Sequence, residues 1–251
     1  MLGTLWPEIS KLYGHGNELL SLAASHDGTL LASSCRATTD LDAKIILWNT
    51  KEWREHLTLS YHRLSVTQIQ FSDCDRFILS VSRDRSWAVF ERGPENAFSL
   101  KFESGSLSKK SHHSRIIWSC AWVPRSLHFV TGSRDKTVAV WRPVCDGEGR
   151  VTSWDRGAVI NVNEEVIAVA VERVAQEQKW LIAIGCANGS LLTKLFDEAT
   201  NTVLESSEIE VPHRKSVRRL QFRPRADQSQ SEFTLASSGN DNAVCLHQIT
   251  L

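Results

Sequence analysis

Histidine, aspartate and a hydroxyl side chain recur together in this sequence, and these are the residue types of a nucleophilic hydrolase triad. His15 precedes Asp42, His62 precedes Asp84, His113 precedes Asp135 and His213 precedes Asp241. Candidate hydroxyls lie between the first three pairs: Ser33 or Ser34, Ser80 or Ser82, and Thr131 or Ser133. A hydroxyl, a base and an orienting carboxylate can perform acyl transfer where they meet in a cleft. Here the combination repeats along the chain, and no Gly-x-Ser-x-Gly elbow accompanies it. A catalytic site is not needed once per repeat, so the combination reads as structural and no enzyme is expected. Other chemistries have less support. The six cysteines, at 35, 74, 120, 145, 186 and 245, include no Cys-x-x-Cys pair and no histidine at zinc-finger spacing. Buried, reduced thiols in a reducing compartment are expected instead. No Gly-x4-Gly-Lys-Ser/Thr loop, no His-Glu-x-x-His and no plausible paired-carboxylate signature occurs. The expectation is therefore no cofactor, no metal and no small-molecule substrate.

The elements that carry these residues follow from a second spacing. Asp135 stands six residues before Trp141, and Val138 and Val140 between them alternate with Thr137 and Ala139, the period of a half-buried strand. The same offset links Asp42 to Trp48, Asp84 to Phe90, Asn188 to Lys194 and Asp241 to His247. These turns are roughly 40 to 55 residues apart, a period that signals a propeller array. The pattern predicts an all-β fold of about five four-stranded blades, in one domain over 1–251. The blades fall at about 17–62, 63–112, 113–163, 164–212 and 213–251. The last lacks an outer strand, and the segment Leu5–Tyr13 reads as an outer strand with no blade. One can complete the other and close a ring of five. Alternatively they flank a gap where further blades of a seven-bladed ring belong.

Composition narrows the partners. The chain has 251 residues, 41% of them apolar, with 29 Lys+Arg against 29 Asp+Glu. That balance gives no global charge for nucleic acid or membrane. The longest apolar run, Val166–Val171, is far short of a membrane span. Met1–Pro7 lacks the pattern of a signal peptide, so a soluble intracellular protein is expected.

The junction histidines, turn aspartates and strand-end tryptophans together resemble those of the WD-repeat family. In that family a junction His, a strand Ser or Thr, the turn Asp and the Trp form one hydrogen-bonded set per blade. The resemblance implies such sets from His113, Thr131 or Ser133, Asp135 and Trp141, and from His15, Ser33 or Ser34, Asp42 and Trp48. His62, Ser80 or Ser82 and Asp84 form another, with Phe90 for Trp. His213 and Asp241 form the last, ending in His247. The fourth repeat, with no histidine near Glu164, departs most. Stretches the blade itself does not demand go further: Leu5-Trp6-Pro7-Glu8, Val81-Ser82-Arg83-Asp84-Arg85-Ser86-Trp87 and His113-Ser114-Arg115-Ile116-Ile117-Trp118-Ser119-Cys120. These resemble the WD-repeat subunits of the Elongator complex, strongly over about residues 5–141 and weakly beyond. The resemblance implies a non-catalytic scaffold that joins the catalytic and accessory Elongator subunits and supports tRNA wobble-uridine modification. It also implies a link to transcription elongation and a place in cytoplasm and nucleus. The other reading is an adaptor in a different assembly, such as a ubiquitin ligase or chromatin complex.

A propeller binds through its loops and strand ends. The residues just before the turns, Leu41, Arg83, Arg134, Ala187 and Asn240, project there, with Arg115 close to the same rim. Arg83, Arg115 and Arg134 are the candidate partner-binding residues, because guanidinium groups suit carboxylates and phosphates. The run from His213 to Arg219, with Arg223 and Arg225, is the most basic. Val217, Leu220 and Phe222 give it a strand pattern, so its charges splay over two faces and any tRNA contact is weak or indirect.

Overall fold

The computed structural model describes residues 8–106, 113–174, 178–209, 212–224 and 231–251. They form five antiparallel sheets, taken in chain order. The first holds β1 (Leu19–Ala24), β2 (Leu30–Cys35), β3 (Ile45–Asn49) and β4 (Arg54–Leu59). The second holds β5 (Val66–Phe71), β6 (Phe77–Ser82), β7 (Trp87–Arg92) and β8 (Phe98–Glu103). The third holds β9 (Ile117–Trp122), β10 (Phe129–Ser133), β11 (Thr137–Cys145) and β12 (Val151–Asn161). The fourth holds β13 (Val166–Arg173), β14 (Lys179–Cys186), β15 (Leu191–Asp197) and β16 (Thr202–Ile209). The fifth has three strands: β17 (Val217–Phe222), β18 (Glu232–Gly239) and β19 (Val244–Thr250). Each sheet is one blade, as the repeat predicts.

The blades stack because each presents an apolar face to the next. Leu30, Ile45 and Leu47 pack on Val66, Ile69 and Ile78 between the first and second. Between the second and third, Trp87 meets Phe129 with ring centroids 5.0 Å apart and Trp141 at 4.7 Å, and Phe77 meets Trp154 at 5.4 Å. Truncating one such aromatic costs about 3–5 kcal/mol. Val138, Val140 and Ile160 pack on Val166, Trp180 and Ile184 between the third and fourth. Leu181 and Leu191 pack on Val217 and Phe233 between the fourth and fifth.

The inner strands β1, β5, β9, β13 and β17 line a central channel of about 940 Å³. Their channel-side amides need partners, since an unpaired buried N–H is costly. Side chains of the preceding blade supply them. Ser21 Oγ accepts from the Ile69 amide (3.0 Å), Gln68 Oε1 from Cys120 (3.1 Å), Gln70 Oε1 from Trp122 (3.1 Å) and Ser119 Oγ from Val169 (3.0 Å).

Two expectations need correction. The first concerns the strand over 5–13: residues 1–7 lie outside the described residues, Glu8–Tyr13 carries no strand, and among the described residues the fifth sheet ends at β19. The chain here crosses the first blade instead, with Gly14 against Trp48 and Ile46. Each inner strand packs on the next from β1 to β17, yet both ends of the series stay uncovered. Leu22 of β1 is 63% exposed, and Val244 and Leu246 of β19 are 75% and 74% exposed. The described residues thus form an open arc. Second, the expected thiol burial holds for Cys35, Cys120 and Cys186, whereas Cys74 and Cys145 are exposed. Among the described residues, no helix is long and apolar enough to cross a membrane and no cluster could hold a metal ion.

Candidate functional site

The recurring polar sets are assembled by the turn between the second and third strands of a blade. In the third blade Asp135 Oδ2 accepts from the Ser114 amide (2.9 Å) and faces His113 Nδ1 (2.9 Å). Its Oδ1 accepts from the Thr137 amide and hydroxyl at 3.1 and 2.5 Å. His113 Nε2 reaches Thr131 Oγ1 (2.8 Å), which also accepts from Trp141 Nε1 (2.8 Å). Lys136, just after the aspartate, adopts φ 67° and closes the turn. Burial alone would raise the Asp135 pKa, but the bonds from His113, Thr137 and Ser114 prevail and hold it well below the usual carboxylate range.

The second blade repeats this. His62 Nδ1 lies 3.1 Å from Asp84 Oδ2 and its Nε2 lies 2.8 Å from Ser80 Oγ. The fifth does so with His213, Asp241 (3.0 Å) and Ser237 (2.8 Å). Ser80, Thr131 and Ser237 are the hydroxyls that complete these sets, and they are 0%, 0% and 1% exposed. A substrate carbonyl has no route to them, so the triad-like geometry holds turns together. Ser82 and Ser133, the alternatives, each accept from the amide two residues on, at Asp84 and Asp135.

The first blade departs from expectation. His15 Nε2 lies 2.8 Å from Ser33 Oγ, which accepts from Trp48 Nε1 (2.7 Å). Asp42, however, does not reach His15. Among the described residues its carboxylate takes the Thr39 hydroxyl alone (3.4 Å), and His15 Nδ1 is buried without a partner. The cause is the insertion after β2, which moves the aspartate away from the strand end. Ala43, which follows it, is not among the positive-φ residues that close the other turns. Burial, and then the charge of Lys44, lowers the His15 pKa. In the fourth blade Asn188 stands in for the aspartate and accepts from the Ser190 amide and hydroxyl, followed by Gly189 at φ 95°.

A family description, "WD domain, G-beta repeat", matches residues 6–49, 53–91 and 105–142. This chain is a WD-repeat protein. Its WD repeats are similar to a set of longer proteins. Elongator complex protein 2 of Mus musculus is 36% identical over 98% of this chain and 33% of its own length. That of Drosophila melanogaster is 39% identical over 100% of this chain and 32% of its own. That of Saccharomyces cerevisiae is 39% identical over 74% and 23%. The WD-repeat chain therefore spans about a third of the first two relatives.

The candidate arginines of this WD-repeat protein fare differently. Arg83 and Arg115 are exposed, and no carboxylate pairs with either among the described residues. Arg134 Nε instead bonds Glu165 Oε1 of the next blade at 2.9 Å. The backbone explains the contrast. The amides of Arg83, Arg134, Ala187 and Asn240 each donate to the residue before the first strand of their own blade. Glu165 is that residue in the fourth blade; Ile116 is its counterpart in the third. The position that holds Glu165 for Arg134 holds Ile116 for Arg83, and isoleucine offers no carboxylate. The same bond in the first blade is made by Arg36, not by the expected Leu41, because the insertion displaces Leu41. Counting forward from β2 finds Arg36; counting back from Asp42 does not. Arg63, whose amide bonds Asp84 Oδ2, and Arg85 are also exposed on this rim and were missed. In the basic run, Val217, Leu220 and Phe222 are buried while Arg214, Lys215, Arg218 and Arg219 are exposed. Arg225 lies outside the described residues.

Proposed function

We propose that this chain is part of a WD-repeat subunit of Elongator, a non-catalytic scaffold that holds other subunits in place for tRNA wobble-uridine modification in cytoplasm and nucleus. The observation that carries this is the similarity to Elongator complex protein 2 across nearly the whole chain. The use of the Ser–His–Asp groups as turn braces supports a scaffold over an enzyme. The partner surface is the rim carrying Arg83 and Arg115, with tRNA contact indirect or weak. Guanidinium groups that pair with no carboxylate among the described residues suit a partner's carboxylates.

Affinity purification of the tagged chain tests both parts. The expected result is co-purification of the other Elongator subunits, reduced severalfold by charge reversal at Arg83 and Arg115 with circular dichroism unchanged. Absence of those subunits, with a different stable partner present, overturns the assignment. Recovery unaffected by the reversal overturns the surface alone.

A further inference from the structure

The fifth blade ends its polar set in a residue type that no other blade uses there. Where Trp48 and Trp141 donate to Ser33 and Thr131, β19 presents His247. Its Nε2 lies 2.8 Å from Ser237 Oγ, which also lies 2.8 Å from His213 Nε2. One hydroxyl therefore bridges two imidazoles. Asp241 accepts from His213 Nδ1 (3.0 Å), which fixes the tautomer. Neutral His213 then accepts the Ser237 proton at Nε2, and Ser237 Oγ accepts from His247 Nε2.

The relay can hold one extra proton. With one imidazole doubly protonated, Ser237 still has a neutral ring nitrogen to donate to. It cannot hold two. Both imidazolium groups would then donate to the same oxygen, leaving the Ser237 proton without an acceptor at a site 1% exposed. A tryptophan at this position carries no such liability, because its indole always donates and never titrates. The charged groups facing His247 are few. His213 comes from the loop before β17, Asp241 from the β18–β19 turn by way of His213, and Glu205 from β16 across a groove of about 520 Å³. Burial, and then the His213 charge, lowers the His247 pKa.

We propose that the His213–Ser237–His247 relay makes the fifth blade an acid-sensitive element that opens ahead of the other four. Folded His247 resists its proton more than a free imidazole does. The contribution of the relay is therefore full above about pH 6.5 and is lost as pH falls below it. The second and third blades each carry one aspartate-braced histidine in their sets, and the fourth carries none; His15 of the first blade and His128 of the third, whose pKa values burial lowers, act with the same sign, but neither shares its hydroxyl with a second imidazole. Among the described residues the fifth sheet has three strands where the others have four, so fewer ladder bonds hold it.

Hydrogen exchange with mass spectrometry on the full chain tests this between about pH 7.5 and about pH 5.5, with rates corrected for intrinsic exchange. The expected result is an opening constant for peptides of β17–β19 that rises by up to about tenfold per pH unit, with smaller changes in the other blades. His247→Trp should flatten that response. His247→Gln, a neutral donor, should flatten it too and serves if the tryptophan does not fit. A response equal in all blades overturns the proposal, as does one that survives in the folded variants.

Discussion

At the scale of the residue, the same aspartate does different work depending on the backbone beneath it. Asp135 satisfies two amides, a hydroxyl and an imidazole, and removing it strands those donors. Asp135→Ala should cost about 3 kcal/mol in chemical denaturation. Asp42→Ala should change stability by less than about 0.5 kcal/mol, because among the described residues the Asp42 carboxylate meets Thr39 alone. Equal effects would place Asp42 in a set after all. The Asp135 pKa is depressed, so its contribution is present above about pH 4 and drains as pH falls further. The Asp–Trp offset made Asp135 and Asp42 look equivalent in sequence. Offset reports which strand follows a residue. It carries no record of whether the turn before that strand is tight, and the insertion after Cys35 loosened it.

At the scale of the element, nearly every strand was legible, since alternation and turn chemistry are local signals. The segment 5–13 was not, because its fate depends on which blade it packs against, a contact that no local pattern encodes. The pairing of Arg134 but not Arg83 was hidden for the same reason: it rests on Glu165 and Ile116 in the following blade. Packing between blades also sets tolerances that the sequence does not display. A Cβ on Gly132 of β10 would sit 2.6 Å from Val166 Cγ1 and 2.7 Å from Val169 Cγ1. Gly132→Ala should therefore force the third and fourth blades apart and cost about 1–3 kcal/mol in the same denaturation measurement. A neutral substitution would mean that β13 can shift without loss.

At the scale of the whole molecule, the open arc leaves Leu20 and Leu22 at one end and Val244 and Leu246 at the other without cover. Apolar sheet faces of this kind associate. Sedimentation of the chain should show mass rising with concentration, and Leu22→Asp with Leu246→Lys should reduce it. A monodisperse monomer at all concentrations would show that the two ends meet and close the ring in solution. The channel carries a further consequence. Every bond that caps an inner-strand amide runs from an earlier blade to a later one: Ser21 to Ile69, Gln68 to Cys120, Ser119 to Val169. Ala168 stands where Ser21, Gln68 and Ser119 stand, and offers Leu220 no such oxygen. During synthesis the acceptor for each new strand already exists when that strand leaves the ribosome, so the described blades can assemble vectorially, and the fifth is the one whose inner strand arrives with no such acceptor waiting for it.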